Sequence, residues 1–415
     1  MSEIKVFNRY LVMLGAVIAQ LCLGSIYAWT IFQTALYNNT PYQWDKLLTQ
    51  LPFSVGLASF ALFMIFAGKW QDKVGPTKVA TVGGILLGLG YILAGMVDII
   101  TPGNELLGFL WLIVSYGVIG GAGIGFAYVC PIAALVKWFP DLKGLITGIA
   151  VAGFGAGALI FTQVETALIP DDGQVGTAFF LLGILYLVAV VGAAQLLQNP
   201  PAGWTPESYV KTDTQTLSTG KKDIGPSNMI KTPEFWLLWG MFVLAAAAGL
   251  MTIGNVKSFV IDQNSAIDAV LAATIAGILS IFNAAGRIVW GAVSDRIGRT
   301  ITMILMFATL GVSMFFFGIQ TEVLTLTIGA ALIGFCFGGN FALFPSATAD
   351  YFGTKNLGSN YGLVFTAYGV AGILGPFLAG IMVYADVFPL LGFLSFLALA
   401  LAIFTEYLAR KKVVA

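Results

Sequence analysis

Long apolar stretches recur along the whole chain and limit what it can fold into. A helix that crosses the hydrocarbon core of a bilayer needs about 20 consecutive, mostly apolar residues. In lipid, every backbone polar group must be satisfied within the structure, and only helices and closed barrels achieve this. We therefore predict an all-α integral membrane protein with twelve transmembrane helices, near residues 10–37, 50–70, 78–99, 108–136, 144–167, 175–198, 233–259, 268–293, 300–320, 323–348, 358–383 and 387–409.

The composition agrees with this prediction. Only 10% of the 415 residues are charged and 58% are hydrophobic, whereas soluble domains are about 25% charged. The first apolar run is long enough to span the membrane and is not followed by a convincing cleavage site. We therefore interpret it as the first span rather than as a signal peptide.

A polar stretch rich in Pro, Thr, Ser and Lys divides six spans from six. We predict an N-terminal six-helix bundle over residues 1–198, a linker over 199–232 and a C-terminal six-helix bundle over 233–415. With the N-terminus in the cytoplasm, all but three of the 20 Lys and Arg residues fall in or beside cytoplasmic segments, as the positive-inside rule requires. We therefore expect a multi-pass protein of the cell inner (plasma) membrane, with the linker and both termini cytoplasmic.

The residue inventory excludes several classes of function. The chain has no histidine, which is the commonest proton-transfer residue and metal ligand. Cys22, Cys130 and Cys336 lie far apart in apolar runs, so they do not form the spacing of a metal site or a disulfide framework. An enzyme site would need paired carboxylates, a histidine or a nucleophile with its base, and no such group lies midway along a predicted span. Twenty basic residues balance twenty acidic ones, so no basic excess points to nucleic acid. We expect no enzyme activity, metal, cofactor or nucleic-acid partner.

The two halves of the chain repeat a short motif after their second span. The first copy consists of Gly68, Asp72, Gly75 and Lys78, and the second, about 223 residues later, of Gly291, Asp295, Gly298 and Arg299. A second echo relates residues 128–157 to residues 341–371. Duplicated six-helix halves are typical of transporters that rock around a central site.

Residues 68–78 resemble the signature G-x3-D-[RK]-x-G-x-[RK] of the major facilitator superfamily, and residues 291–299 resemble it too. The resemblance implies the major facilitator fold, with two pseudo-symmetric six-helix bundles. It also implies that each aspartate lies at a helix end among basic groups and holds a gate closed in one state. The gate residues expected on this basis are Gly68, Asp72, Gly75, Lys78, Gly291, Asp295, Arg296 and Arg299. An ordinary tight loop with charges that set the topology is the alternative.

Five further stretches are similar to the oxalate/formate antiporter and monocarboxylate (lactate/pyruvate) transporter branch of that superfamily. They lie at residues 24–30, 137–145, 231–236, 283–299 and 342–346. This resemblance extends over nearly the whole chain and implies a small carboxylate anion as the substrate.

Arg287 is the most informative charge in the sequence. It precedes Asp295, at the end of span eight, by eight residues, which is about 12 Å of helix, and half the hydrocarbon core is about 15 Å. An arginine near the midplane needs a cavity or a partner. Since no Asp or Glu lies midway along a predicted span, we predict that Arg287 binds a substrate carboxylate through paired hydrogen bonds. Asn283, one turn earlier, lies on the same face, so it can orient the guanidinium or contact the substrate.

Each of these two residues also has a structural interpretation. Arg287 could be bonded to helix carbonyls, and Asn283 could make a polar contact between helices, which is common in membranes.

The resemblance to the oxalate transporters implies that aromatic side chains line the rest of the site. They are Tyr27, Tyr128, Phe154, Phe337, Phe341, Phe365 and Tyr368; packing between helices or against lipid is the alternative for each phenylalanine. Dicarboxylate members of the branch carry a second cation, a lysine in span eleven, where this chain has Tyr368. A second carboxylate would therefore be buried without a partner. We predict a small monocarboxylate such as lactate or pyruvate.

The sequence leaves the mode of coupling open. A proton could accompany the substrate to Arg287, or one carboxylate could exchange for another as in an oxalate/formate-type exchanger. A carboxylate sensor, or a carrier of sugars or drugs, is a further alternative. The acids Asp98, Glu165, Asp262 and Asp268 lie near the predicted outer ends of spans, where we expect solvation, with proton relay at the entrance as the alternative. We expect a monomeric, proton-coupled secondary transporter that works by alternating access.

Overall fold

The computed structural model describes residues 7–38, 42, 44, 46–169, 174–201, 203–206 and 223–414, and within them all regular secondary structure is helical. Residues 1–6 and residues 207–222 of the predicted linker lie outside the described residues. The α-helices are α1 (Arg9–Leu23), α2 (Thr30–Asn38), α3 (Lys46–Val74), α4 (Pro76–Ala94), α5 (Val97–Ile100), α6 (Glu105–Leu112), α7 (Gly121–Trp138), α8 (Lys143–Leu168), α9 (Gly176–Ala194), α10 (Pro226–Met229), α11 (Pro233–Gln263), α12 (Ala269–Ile297), α13 (Arg299–Gly318), α14 (Val323–Phe352), α15 (Leu357–Val364), α16 (Thr366–Ile381) and α17 (Tyr384–Val414). Short 3-10 helices occur at Gly24–Ala28 and Thr101–Gly103, and a π-helix at Ile113–Gly120.

Eleven helical runs of the described residues are long and apolar enough to cross a bilayer. They correspond to eleven of the twelve predicted spans, and the all-α membrane fold is confirmed. The one predicted span without such a run, span eleven at residues 358–383, is divided into α15 and α16, which meet at Phe365. The sequence predicts the apolar run but does not reveal this break.

Side-chain caps begin several of the helices. The side chain of the residue before each helix accepts a hydrogen bond from a backbone N–H of the first turn, which has no partner within the helix. This is the arrangement at Asn8 before α1, Asn104 before α6, Thr232 before α11 and Asp268 before α12.

The first compact unit comprises Met1–Trp138 and Gly153–Thr205. Within it α4 packs against α7 and α9, and α3 packs against α7. Aromatic rings fill its interior. Trp29, Tyr91, Tyr116 and Phe179 form a cluster whose contacting ring centroids are 4.4 to 6.4 Å apart. Such pairs add to the stabilisation that burial of the rings provides.

The second compact unit comprises Phe139–Ala152 and Pro206–Ala415. Within it α12 packs along α14, α13 along α17, and α11 along α16 and α17. The first part of α8 belongs to this unit, whereas the rest of the helix belongs to the first unit. The predicted boundaries at residues 198 and 233 stay a prediction.

Equivalent turns connect two pairs of consecutive helices. Gly75, between α3 and α4, has a φ of 89°, and Gly298, between α12 and α13, has a φ of 91°. Residues with a Cβ rarely adopt this conformation, so glycine is required at both positions. Both glycines belong to the repeated motif, and the two copies therefore share one backbone conformation.

Candidate functional site

Arg287 lies on α12 and is only 1% exposed. Its Nε donates a 3.1 Å hydrogen bond to Oδ1 of Asn283, and its Nη1 donates a 2.6 Å bond to the carbonyl oxygen of Val151 on α8. Its Cζ lies 4.4 Å from the centre of the Phe341 ring, which is a cation–π distance. The bond to the Val151 carbonyl agrees with the structural interpretation, in which Arg287 is bonded to helix carbonyls. The contacts with the Asn283 side chain and the Phe341 ring agree with a role in substrate binding.

Asn283 adds a second polar group on the same face of α12. The residue is 6% exposed, and its Nδ2 has no hydrogen-bond partner among the described residues. A buried donor without an acceptor costs free energy, and an acceptor that reaches it removes this cost. Asn283 and Arg287 together therefore offer N–H donors to a ligand that carries oxygen acceptors.

Main-chain packing fixes the position of this part of α12. A Cβ at Gly148 of α8 would overlap the carbonyl oxygen of Arg287, and a Cβ at Gly338 of α14 would overlap that of Asn283. Glycine at such contacts allows two helix backbones to approach closely. Arg287 and Asn283 thus extend from a helix whose place is set by direct backbone contact.

Four of the predicted aromatic residues continue from Arg287 through the second unit. The ring of Phe341 lies 5.2 Å from that of Phe337 and 5.5 Å from that of Tyr368. Phe365 stacks on Tyr368 at 5.0 Å. All four side chains are buried. The structure therefore brings the six predicted residues of this unit into one continuous set of contacts.

The other three predicted aromatic residues meet in the first unit. The ring of Phe154 lies 5.2 Å from Tyr27 and 5.3 Å from Tyr128, edge to face in both cases. Phe60, which the sequence analysis does not single out, lies 5.0 Å from Tyr128. The convergence of these three residues with those of the second unit stays a prediction.

The second copy of the repeated motif joins a carboxylate to a helix end. Asp295 accepts hydrogen bonds from the backbone N–H groups of Gly144, at 2.9 Å, and Leu145, at 2.8 Å, in the first turn of α8. A negative charge is favourable there because these N–H groups lack intrahelical partners. Arg299 donates a 2.6 Å bond to the same carboxylate.

Arg299 also connects Asp295 to Asp350 on α14. Its Nε lies 3.0 Å from one oxygen of Asp350, and Nζ of Lys143 lies 2.6 Å from the other. None of these four side chains is more than 15% exposed. We call Lys143, Asp295, Arg299 and Asp350 the charge network. Its two cations and two carboxylates compensate one another, as buried charges must.

The remaining predicted gate residues are not part of this network. Arg296 is exposed. In the first copy Gly68 is buried, Asp72 is half-buried in the last turn of α3, and Lys78 is exposed. The two copies share their glycine turn and an aspartate in the last turn of the preceding helix.

Several residues that contact the predicted site residues carry no signal in the sequence, because the tertiary fold alone brings them there. Asp350 completes the charge network, and Phe242 of α11 lies 6.2 to 6.4 Å from Phe341, Phe365 and Tyr368. Val151 contributes a backbone carbonyl, which every residue has, so no sequence signal could identify it. Lys143 does lie in one of the stretches that carry the resemblance.

The prediction that Glu165 is solvated is wrong. Its side chain is 0% exposed, and both carboxyl oxygens have no hydrogen-bond partner among the described residues. Asp262 and Asp268 are exposed, as expected, and Asp98 is half-buried and accepts a hydrogen bond from the backbone of Gly176. In the last turns of α8, the helix face that carries Glu165 is therefore buried inside the first unit.

The sequence matches the family model described as Major Facilitator Superfamily over residues 11–281, and again over residues 244–414. The chain belongs to the major facilitator superfamily. It is accordingly a multi-pass membrane transporter and not an enzyme, as the residue inventory predicts.

Several curated members of the superfamily align with most of the chain. An uncharacterized MFS-type transporter, YhjX of Escherichia coli (strain K12), is 34% identical over 371 residues, which is 88% of this chain and 86% of that protein. The oxalate:formate antiporter of Oxalobacter formigenes is 28% identical and the alignment covers 96% of this chain and 91% of the antiporter. Apicoplast pyruvate carrier 1 of Toxoplasma gondii is 28% identical over 74% of this chain and 64% of the carrier.

Solved structures of the superfamily have the same fold. A bacterial homologue of the iron transporter ferroportin, in its outward-facing state, superposes with a TM-score of 0.70 at 16% identity and covers 98% of this chain and 99% of that one. The proton:xylose symporter XylE superposes with a TM-score of 0.68 at 16% identity over 97% of this chain and 96% of the symporter.

Proposed function

We propose that this transporter moves a small monocarboxylate, of the lactate or pyruvate type, by alternating access and together with a proton. The observation that carries the proposal is the buried pair of Arg287 and Asn283 beside the Phe341 ring. A guanidinium binds a carboxylate through two parallel N–H···O bonds, and the Asn283 amide supplies a further donor. The similarity to an oxalate:formate antiporter and to a pyruvate carrier agrees with a carboxylate substrate.

In this proposal the carboxylate competes with the carbonyl of Val151 for Nη1 of Arg287. The bond between α12 and α8 then changes when the substrate binds. A ligand shifts a conformational equilibrium only through the difference in its interaction with the two states. Competition for Nη1 provides such a difference at a defined contact.

The side chains beyond Arg287 favour a substrate with one carboxylate over a substrate with two. An apolar wall that suits the methyl group of lactate or pyruvate is formed by Phe337, Phe341, Phe365 and Tyr368. A second carboxylate against that wall would lack a cation, at a high cost in a water-poor environment.

We extend the proposal to the gate and the topology. The charge network is the contact that holds α8 to α12 and α14 in one conformation and is released in another. It lies on the cytoplasmic side, with both termini and the linker cytoplasmic, in the inner (plasma) membrane. The transporter works as a monomer.

Uptake into proteoliposomes tests the proposal. We expect the purified protein to accumulate radiolabelled L-lactate or pyruvate when an inward proton gradient is imposed, and Arg287→Ala to abolish uptake. Lys257→Ala is the matched control because it removes an exposed cation. Normal uptake by Arg287→Ala, in protein that elutes as a single species, would refute the assignment of the site.

A carboxylate exchanger is the second candidate, and the relative that covers 96% of this chain favours it. Exchange requires no titrating residue. Uptake that ignores the proton gradient but accelerates with carboxylate inside the vesicles would establish exchange instead of symport.

A further inference from the structure

A buried carboxyl group in the first unit has no role in the site described above. Glu165 lies on α8, is 0% exposed, and neither of its oxygens has a hydrogen-bond partner among the described residues. Glu165 is not one of the four residues of the charge network, which lie in the second unit. An ionised carboxylate in such surroundings is strongly disfavoured, whereas a protonated one carries no charge to bury. Glutamine would fill the same space without this sensitivity to protonation, so packing alone does not explain an acid here.

Three phenols on neighbouring elements are close enough to Glu165 to interact with its charge. Its carboxyl group lies within electrostatic range of Tyr91 on α4, Tyr116 in the π-helix and Tyr186 on α9. Ser25, in the 3-10 helix, lies close to Tyr91 and Tyr186. A thiol, Cys22 of α1, also lies near Tyr186. The titratable groups around Glu165 are thus phenols and a thiol, which are neutral near pH 7.

Three of the hydroxyls in this neighbourhood have unused hydrogen-bonding capacity. The hydroxyls of Ser25, Tyr116 and Tyr186 are buried and, like both oxygens of Glu165, form no hydrogen bond of normal geometry within the described residues. A hydroxyl both donates and accepts, so such a group can receive a proton on one side and release one on the other.

The backbone is irregular at the same place. The 3-10 helix Gly24–Ala28 interrupts the first span and carries Ser25, and the π-helix Ile113–Gly120 interrupts the fourth and carries Tyr116. Segments of this kind inside long helices often mark hinges or functional sites. The 3-10 helix and the π-helix near Glu165 are therefore places where the backbone can rearrange without unfolding a regular α-helix.

We infer that Glu165 is the proton-binding site of the transport cycle, reached through the hydroxyls of Ser25, Tyr91, Tyr116 and Tyr186. The carboxylate takes one proton from water on one side of the membrane, is occluded as the neutral acid, and returns the proton to water on the other side. One proton on Glu165 balances one carboxylate on Arg287, so the cycle is electroneutral. Glu165 and Val151, which accepts from Arg287, lie on the same helix. The coupling part of this inference rests on the proposed function.

Glu165→Gln separates proton coupling from substrate binding. A symporter of one proton and one anion accumulates its anion about tenfold for a gradient of one pH unit, and the variant should lower this ratio to about one. Exchange of labelled for unlabelled L-lactate at equal pH should persist, because the carboxylate site is intact. The control is Asp262→Asn, which neutralises an exposed acid and should behave like the unchanged protein. Gradient-driven accumulation by Glu165→Gln, or loss of exchange together with accumulation, would overturn the inference.

Infrared spectroscopy gives a test that does not depend on the substrate. In protein labelled with carboxyl-13C glutamate, we expect the C=O stretch of a protonated glutamate near neutral pH, and its loss in Glu165→Gln. Absence of that band from the unchanged protein overturns the inference even if the variant does not fold. If the band is present but no monocarboxylate is transported, Glu165 is a proton site and the proposed substrate is wrong.

Discussion

The Nη1 group of Arg287 donates a 2.6 Å hydrogen bond to the carbonyl oxygen of Val151. This bond joins α12 to α8, a helix that belongs partly to each compact unit. A ligand that takes Nη1 of Arg287 would compete with this contact. In the proposed function, ligand binding and the position of α8 would then be linked in the way that a carrier requires.

Arg287→Lys keeps the positive charge but removes the planar pair of donors. An ammonium group acts as a point charge and cannot form the paired hydrogen bonds. Loss of one hydrogen bond to a charged group costs about 1.5–3 kcal/mol, so we expect KM for L-lactate to rise about tenfold or more. Initial uptake rates over a range of lactate concentrations measure this. An unchanged KM would mean that the substrate does not use the guanidinium geometry.

Tyr368→Lys should shift the selectivity toward dicarboxylates. The new ammonium group would replace a ring that lies 5.5 Å from Phe341, the residue in contact with Arg287. A second cation compensates a second carboxylate, so we expect oxalate uptake to appear and lactate uptake to fall. Competition between labelled oxalate and lactate measures the change. Tyr407→Lys is the control because Tyr407 is 58% exposed. If both variants keep the original selectivity, position 368 does not face the substrate.

Asp350→Asn should weaken the second unit and the gate together. The substitution leaves Lys143 and Arg299, whose side chains are 10% exposed, with one carboxylate instead of two. Removal of one partner from a buried ion pair costs about 3–5 kcal/mol. We expect a lower apparent melting temperature in detergent than that of the unchanged protein or of Asp262→Asn. An additional Lys143→Gln change should recover part of the loss, since it removes an uncompensated cation. Strictly additive effects would show that the two residues are not coupled.

The fold and the second copy of the motif could be predicted because their signals are local. Twenty apolar residues in a row indicate a span whatever surrounds them. A tight loop is one interpretation of the motif, and Gly75 and Gly298 both lie in such turns, with a positive φ that only the structure reveals. Asp295 was expected at a helix end among basic groups, and it accepts from the first turn of α8 beside Arg299.

The rest of the candidate site depends on contacts between helices that are distant in sequence. The pairing of Lys143 with Asp350 spans 207 residues, and neither charge signals its partner. The sequence gives the distance of Glu165 from the end of α8, and this distance predicts a solvated position. It does not show which face of the helix Glu165 occupies, and that face is buried. The break at Phe365 in span eleven has no marker of composition, since the apolar run continues through it.

Gly338→Ala should disable transport although alanine is the better helix former. The added Cβ would overlap the carbonyl oxygen of Asn283 and lie 3.2 Å from the backbone nitrogen of Arg287, so α12 would have to move away from α14. Overpacking of this kind costs about 1–3 kcal/mol, and it displaces both proposed donors.

Gly277→Ala is the matched control, because a Cβ at Gly277, on the same helix as Arg287, meets nothing within 4 Å. Replacement of glycine by alanine inside a helix favours the helix by about 1 kcal/mol, so we expect this control to keep uptake and to melt at the same or a higher temperature. Lactate uptake and thermal unfolding of the two variants, compared side by side, distinguish backbone contact from helix propensity. Equal behaviour of the two variants would mean that α12 tolerates displacement, and that the donors on Asn283 and Arg287 do not depend on the contact with α14.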